Sequence, residues 1–225
     1  MGRIRLVLFD LDGTLVDSAP DLAASANELR RRRGLPLLPY RALREVCGSG
    51  ARGLIWAALR IAPDAPGFER VKAEFLTHYG AHLTDHLTVF PGIYDMIRAF
   101  SDRGISWGVV TNKFSTLARP VCEAAGFTAT MKCLVGGDMV DKPKPEPLSL
   151  QLAMRTCGFA PENTMYVGDD ARDTMAAHAA GLPAAAACWG YTGGGEDLKK
   201  WGSDCYARTP SDILKAIDLI DGKEH

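Results

Sequence analysis

The chain lacks the features that mark membrane, secreted and nucleic-acid-binding proteins. No apolar run approaches the roughly 20 residues that a membrane-spanning helix needs. No long apolar segment comes before Asp10, so we expect no secretory signal peptide. The formal net charge is −1, which provides no surplus of positive charge for nucleic acid. These absences predict a cytoplasmic protein with neither a membrane nor a nucleic-acid partner.

Cysteine is present but follows no pattern. The six cysteines are scattered, and no two of them form a Cys-x-x-Cys pair. This spacing favours reduced thiols over a disulfide framework or a zinc site. With 225 residues, of which 47% are hydrophobic, the chain is long enough for one large domain or for a core with a smaller insertion.

A short apolar run near the N-terminus ends in two aspartates. Residues 6–9 are too few for a helix and are typical of a buried strand, and Asp10, Asp12 and Thr14 follow them. Side chains just beyond the carboxyl end of such a strand are placed for chemistry in an α/β sheet. A β-hairpin would need a second strand directly after Thr14. Instead, Ser18 opens a stretch with a capping box and an early proline, which favours a helix.

The segment 16–87 shows helical periodicity and no convincing strand. From residue 88 onward, apolar strands alternate with amphipathic helices, which indicates a parallel sheet covered on both faces. We therefore predict an α/β fold, a Rossmann-like parallel-sheet core (1–15 and 88–225) with an inserted all-helical cap domain (16–87). The expected cap helices cover 19–33, 40–47, 51–62 and 67–84. The expected core elements are strands over 105–111, 133–136, 164–168 and 184–188, and helices over 93–103, 115–125, 147–157, 171–180 and 210–221.

Two patterns in the predicted cap resemble binding motifs without their usual context. Residues 48–53 match G-x-G-x-x-G, but a dinucleotide fingerprint follows a buried strand, and this stretch follows a helix-like segment. A glycine-rich loop ahead of a helix can still bind an anion through its free N–H groups. His78, His82 and His86 have a spacing that can bind zinc, but no H-E-x-x-H is present, and an exposed helix face is the favoured interpretation.

Two polar clusters lie at the ends of predicted core strands. Thr111 and Asn112 follow the strand 105–111, where a hydroxyl and backbone N–H groups can bind a phosphoryl oxygen. Asp169 follows the strand 164–168, and Asp173 lies one helical turn further on the same side. A third cluster, Asp141 to Leu148, carries alternating prolines that hold the loop extended around its two lysines.

The stretch from Asp10 to Thr14 resembles the first motif of the haloacid dehalogenase superfamily. The three clusters downstream resemble its second, third and fourth motifs, in the family's order. The resemblance implies that Asp10 is the nucleophile, that Asp12 is the general acid/base, and that Thr111 and Asn112 bind phosphate. The spacing of the family's third motif implies that the functional lysine is Lys142, with Lys144 as the alternative.

The resemblance also implies a metal. Asp10, Asp12 and Asp169 would place several negative charges in one pocket, and hard oxygen ligands suit Mg²⁺. We expect Mg²⁺ to be held by Asp10, the carbonyl oxygen of Asp12 and Asp169. Asp173 is expected to act through water or by orienting Lys142. Asp170 stands where many relatives have serine, and its role is left open.

Four further stretches, 17–22, 48–52, 111–113 and 136–138, resemble the phosphoglycolate phosphatases of this superfamily. This implies hydrolysis of a small phosphate monoester, with 2-phosphoglycolate as the expected substrate, through an aspartyl-phosphate. Ser49, Gly50 and Arg52 of the cap would then determine specificity by binding a second anion. The alternatives are a phosphotransferase of the β-phosphoglucomutase type, a phosphatase for another small metabolite, and a non-catalytic binding module. We expect a monomer or a weak homodimer.

Overall fold

The computed structural model of the chain describes residues 4–192 and 198–222. Six of its strands form one parallel sheet, and two form a separate antiparallel ribbon. The strands are β1 (Leu6–Phe9), β2 (Val16–Asp17), β3 (Thr88–Val89), β4 (Ser106–Val110), β5 (Leu134–Val135), β6 (Thr164–Gly168), β7 (Ala184–Ala187) and β8 (Cys205–Ala207). The sheet order is β5-β4-β1-β6-β7-β8, which confirms the expected α/β fold.

The helices follow the expected pattern, with ends that differ by a few residues. In the cap, the expected helices over 40–47, 51–62 and 67–84 each end three residues earlier, and a short 3₁₀ turn at Cys47–Ser49 follows the first of them. The helices are α1 (Ala19–Arg31), α2 (Tyr40–Arg44), α3 (Gly50–Leu59), α4 (Phe68–Ala81), α5 (Ile93–Asp102), α6 (Ser115–Ala124), α7 (Leu148–Cys157), α8 (Ala171–Ala179) and α9 (Asp212–Ile220). None of the helices in the described residues is both long and apolar enough to span a bilayer.

Strand β1 lies at the centre of the sheet, between β4 and β6. Val7 and Phe9 belong to one cluster of buried apolar side chains, and Leu6 and Leu8 belong to the other. Because successive side chains of a strand point to opposite faces, this division places a hydrophobic layer on each side of the sheet. Burial on both faces explains why the four residues are all apolar.

Helices α1 to α4 pack against one another, and we call them the helical cap. The chain enters and leaves the cap through the ribbon, in which Val16 of β2 pairs with Val89 of β3. Cap side chains such as Leu22 and Phe75 belong to the same buried cluster as Phe9 of the sheet. Because this buried cluster extends through both the cap and the core, the packing does not mark a domain boundary. The cap limits of 16 and 87 therefore stay a prediction.

The expected capping box at the start of α1 is wrong. The hydroxyl of Ser18 donates to Asp12 Oδ1 at 2.5 Å and makes no capping bond, whereas Asp17 Oδ1 accepts the N–H of Ala19 at 3.1 Å. Asp21 is buried and accepts hydrogen bonds from the backbone N–H and the ring of His86. The side chains of Ser18 and Asp21 both bind partners outside the helix, so neither of them takes part in the expected capping box.

Candidate active site

The carboxyl ends of β1, β4 and β6 meet at one edge of the sheet. The residues that follow these strands are Asp10, Thr111 and Asp169, and parallel pairing through β1 brings them together. A cavity of about 510 Å³ opens at this edge, with the helical cap on its other side. Its walls include Asp12, Asn112, Lys113, Lys144 and Asp173 from the sheet side and Gly48 to Arg52, Lys72, Phe75 and Tyr79 from the cap.

Three carboxylates form a cluster at the floor of the cavity. Asp10, Asp169 and Asp173 each offer an oxygen, and these oxygens lie within 4.8 Å of one another. Burial raises the pKa of Asp169 well above its usual range, and the charges of Asp10 and Asp173 raise it further. Burial also raises the pKa of Asp173, to about 6, with Asp10 adding to the rise and Lys144 opposing it. The positive groups around the cluster therefore compensate only part of its negative charge.

Lys144, not Lys142, is the lysine at this cluster. Its side chain is 2% exposed, and Nζ lies 3.1 Å from Asp10 Oδ1 and 2.6 Å from Asp173 Oδ1. Burial alone would lower the pKa of Lys144, but the charges of Asp10 and Asp173 outweigh it and the pKa is raised. Lys142 is exposed on the loop. The prediction of Lys142 is therefore wrong, and Lys144 takes its place.

The side chain of Asn112 explains this register. Its Oδ1 accepts the N–H of Lys144 at 2.9 Å, and its Nδ2 donates to the carbonyl of the same residue at 2.8 Å. The amide therefore holds the proline-rich loop where the Lys144 side chain can reach Asp10. The expectation that Asn112 binds phosphate stays a prediction, because its backbone N–H and the second N–H of Nδ2 are not used in holding the loop. Thr111 is buried at the cavity wall, and its role in binding phosphate stays a prediction.

Tyr166 completes the surroundings of Lys144. The ammonium donates to Tyr166 Oη at 2.7 Å, and that hydroxyl donates to the carbonyl of Val110 at 2.7 Å. The other oxygen of Asp173, Oδ2, accepts the N–H of Asp170 at 3.1 Å. Both oxygens of Asp173 are thus occupied, so this residue positions Lys144 rather than standing free toward the cavity.

Asp169 is held from both sides. Thr14 Oγ1 donates to Oδ1 at 2.8 Å, and the N–H of Tyr191 donates to Oδ2 at 2.8 Å. Gly13 packs directly against this carboxylate with a φ of +83°, and a Cβ there would lie 2.1 Å from Asp169 Oδ2. Only glycine combines that backbone conformation with so close an approach.

Asp12 faces a different set of groups from Asp10. In addition to its bond with Ser18, its two carboxylate oxygens each lie 3.1 Å from Lys113 Nζ. The ammonium also donates to the hydroxyl of Tyr79 in α4. The carboxylate of Asp12 is not part of the aspartate cluster. Its carbonyl oxygen accepts no backbone hydrogen bond among the residues that the structure describes.

Asp170, whose role the sequence left open, caps α8 and orients Arg172. Its Oδ1 accepts the backbone N–H of Arg172 at 2.9 Å and the Nε–H at 2.7 Å. The guanidinium in turn donates to the carbonyl of Gly48 at 2.6 Å. This chain of bonds connects the end of β6 to the glycine-rich loop of the cap.

The predicted specificity residues lie at the cap wall of the cavity. Ser49, Gly50 and Arg52 all line it, and Gly50 has a φ of +60° at the start of α3. Arg52 is exposed in the first turn of that helix. The three histidines of the cap bind three different partners, Ser25, Asp85 and Asp21. None of them joins a group of three metal-binding side chains within 4–192 and 198–222.

Residues 7–187 match the family model described as haloacid dehalogenase-like hydrolase. The chain belongs to this family. A phosphoglycolate phosphatase from Xanthomonas campestris pv. campestris (strain 8004) is 40% identical over 209 residues, which cover 93% of this chain and 94% of that protein. An N-acetylmuramic acid 6-phosphate phosphatase from Pseudomonas putida is 36% identical over 216 residues, covering 96% and 97%.

Among solved structures, a predicted phosphoglycolate phosphatase from Haemophilus somnus 129pt superposes with a TM-score of 0.84. It is 29% identical and covers 96% of this chain and 99% of its own. Both the sequence and the fold are thus similar over nearly the whole length. The resemblance that four short motifs indicated is confirmed at the level of the family.

Proposed function

We propose that this protein is a Mg²⁺-dependent phosphatase that hydrolyses a small phosphate monoester, with 2-phosphoglycolate as the expected substrate. The observation that carries the proposal is the contact between Asp10 and the buried ammonium of Lys144, beside the buried carboxylate of Asp169. A carboxylate that is oriented by a cation at the floor of a cavity has the properties of a nucleophile for phosphorus. We also propose a cytoplasmic location, since a small metabolite is its expected substrate.

The aspartate cluster fits a magnesium ion. Three carboxylates lie within 4.8 Å of one another, and Lys144 is the one cation recorded in contact with them among the described residues. Hard oxygen ligands suit Mg²⁺, which retains several waters. Asp10, Asp169 and the carbonyl of Asp12 would hold it, as the family resemblance implies, while Asp173 forms the ion pair with Lys144. The bound ion would offset the repulsion between Asp10 and a phosphate dianion.

Asp10 would attack phosphorus and form an aspartyl-phosphate as the bond from phosphorus to the ester oxygen breaks. Asp12 would give a proton to that departing oxygen. In the second half-reaction, Asp12 would take a proton from the water that hydrolyses the aspartyl-phosphate, which returns Asp10 and releases phosphate. Lys144 would stabilise the negative charge on the phosphoryl oxygens throughout.

The two curated relatives are named for different phosphate esters, phosphoglycolate and N-acetylmuramic acid 6-phosphate. The glycine-rich loop at the cap wall supports an anionic substrate, since loop N–H groups and the guanidinium of Arg52 are suited to a second negative group. We therefore retain Ser49, Gly50 and Arg52 as predicted specificity residues. N-acetylmuramic acid 6-phosphate is the second candidate.

The proposal is tested by measuring phosphate release from a panel of monoesters by the purified protein with Mg²⁺. The panel contains 2-phosphoglycolate, N-acetylmuramic acid 6-phosphate, sugar phosphates and a generic aryl phosphate. We expect the highest kcat/KM for 2-phosphoglycolate. Higher values for the amino-sugar phosphate would reassign the substrate. Transfer of the phosphoryl group to a sugar phosphate would indicate a phosphotransferase, and no turnover of any ester would contradict an enzymatic function.

A further inference from the structure

Lys113 lies in the cavity, and the chemistry proposed above gives it no task. Its side chain is 6% exposed and is held between Asp12 of the core and Tyr79 of the cap. The ammonium lies 3.1 Å from both oxygens of Asp12 and 4.6 Å from the centre of the Tyr79 ring. Burial alone would lower the pKa of Lys113, but Asp12 and Tyr79 outweigh it and the pKa is raised. A buried cation therefore stands beside the proposed acid.

Each of the other paired cations of the cavity has at least one carboxylate partner that takes no part in the proposed reaction. Lys144 binds Asp10 and Asp173. Arg172 is held by Asp170, and Lys72 lies 3.2 Å from Glu69. The carboxylate partner of Lys113 is different, because Asp12 must turn toward the departing oxygen to give up its proton. When Asp12 makes that contact, the ammonium of Lys113 is available for another anion.

The length of the expected substrate determines where that anion lies. A general acid must come within about 2.6–3.2 Å of the oxygen that it protonates. In 2-phosphoglycolate the carboxylate is bonded to the same carbon as that oxygen, so its own oxygens lie within about 4 Å of it. With the ester oxygen against Asp12, the carboxylate oxygens lie within about 7 Å of the Asp12 carboxylate, and Lys113 is the cation that contacts Asp12. In a larger ester, a carboxylate far from the ester oxygen would lie too far from Lys113 to bind it.

We propose that Lys113 determines specificity by binding a carboxylate that the substrate carries next to its ester oxygen, in place of the carboxylate of Asp12. The inference rests on the proposed phosphatase function and names the chemical class of its substrate. Tyr79 places the ammonium from the cap side, so the site is made by both the core and α4. Lys113 is thus a binding residue for the substrate's second charge, whereas Asp10, Asp12 and Lys144 act on the phosphoryl group.

The test compares two esters that differ in the second charge. The substrates are 2-phosphoglycolate and 2-hydroxyethyl phosphate, which has a neutral hydroxymethyl group in place of the carboxylate. We expect the wild type to prefer 2-phosphoglycolate. In Lys113→Met, the ratio of the two kcat/KM values should fall about 10- to 100-fold, the scale of one charged hydrogen bond. Most of the fall should be a higher KM for 2-phosphoglycolate, and Lys113→Arg should recover part of it.

Lys72→Met is the matched control, since it removes a positive charge from the cavity wall and should keep the wild-type ratio. Arg52→Met tests the alternative that the cap arginine binds the same carboxylate. If Arg52→Met lowers the ratio and Lys113→Met does not, the cap arginine binds the carboxylate and the inference is overturned. Equal losses on both esters in Lys113→Met would overturn it as well, because Lys113 would then serve the chemistry that all substrates share. The inference is also overturned if the wild type hydrolyses the two esters with equal kcat/KM.

Failure of the phosphatase proposal itself has a different signature. In that case the wild type releases phosphate from neither ester when Mg²⁺ is present. Thermal unfolding of Lys113→Met and Lys113→Arg shows whether each variant is folded. The Arg variant keeps the positive charge and so separates loss of the charge from loss of the fold.

Discussion

Lys144 and Asp173 form an ion pair that is closed to solvent, with Nζ 2.6 Å from Oδ1 and no more than 3% of either side chain exposed. Such a pair orients its members, and removing one of them leaves a buried charge without compensation. Here it directs the ammonium at Asp10, 3.1 Å away. The lysine, rather than the aspartate, is therefore the group that we expect to act on a phosphoryl group.

The two lysines of the proline-rich loop should differ sharply when they are replaced. Lys144→Ala should lower kcat about 10²- to 10³-fold, the usual cost of removing one preorganised electrostatic group. Lys142→Ala is the matched control, since the side chain is exposed on the same loop, and it should retain wild-type kcat within twofold. Steady-state phosphate release decides between them, and the opposite ranking would restore Lys142 as the functional residue.

Asp10→Asn should abolish turnover and at the same time stabilise the protein in EDTA. An amide cannot serve as the nucleophile. It also removes one of three crowded negative charges, so the repulsion of Asp10 with Asp169 and with Asp173 is lost. We expect about 1 kcal/mol, which corresponds to a Tm about 2–4 °C higher for a chain of this size. Thermal unfolding in EDTA and phosphate release are measured on the same preparation. Retained activity would contradict the proposed mechanism, and a lower Tm would contradict the account of the cluster.

Metal removal should stop the reaction, and the effect on stability should depend on Asp169. EDTA should abolish activity and Mg²⁺ should restore it, whereas Ca²⁺ should inhibit because its larger and looser coordination shell misplaces Asp10. Binding to the folded state alone should raise the Tm in Mg²⁺. Asp169→Asn should remove most of that rise, while Asp170→Asn should keep it. Full activity after exhaustive chelation would refute the assignment of the metal.

The strands and helices that were predicted correctly are those with a clear local pattern of apolar residues. β1 is an unbroken apolar run, and the helices of the core show clear periodicity, so both were found. β8 was missed because it has three residues, of which Tyr206 is exposed and only Ala207 is buried. β2 and β3 were missed because each has two residues.

The site was predicted less completely, because the contacts that decide it are distant in sequence. Lys142 and Lys144 have the same local surroundings, and the choice between them is made by Asn112, which lies 32 residues away from Lys144. Lys113 appeared only as part of a family stretch, since its partner Asp12 is 101 residues away. The motif indicated that one lysine of the proline-rich loop is functional. No local feature of the sequence indicates which of the two lysine side chains is buried.

Gly13→Ala should damage both stability and activity, because two separate features of the backbone require glycine. A non-glycine residue at a positive φ costs about 1–2 kcal/mol. At Gly13 a Cβ would also lie 2.1 Å from Asp169 Oδ2, so the carboxylate must move. Gly34→Ala is the matched control. Its φ is +64°, and a Cβ there meets no atom within 4 Å. Urea unfolding should show a larger loss for Gly13→Ala, and only this variant should lose phosphatase activity. Equal losses of stability, with activity kept in both variants, would mean that Asp169 tolerates displacement and that its position at the end of β6 is not what the reaction needs.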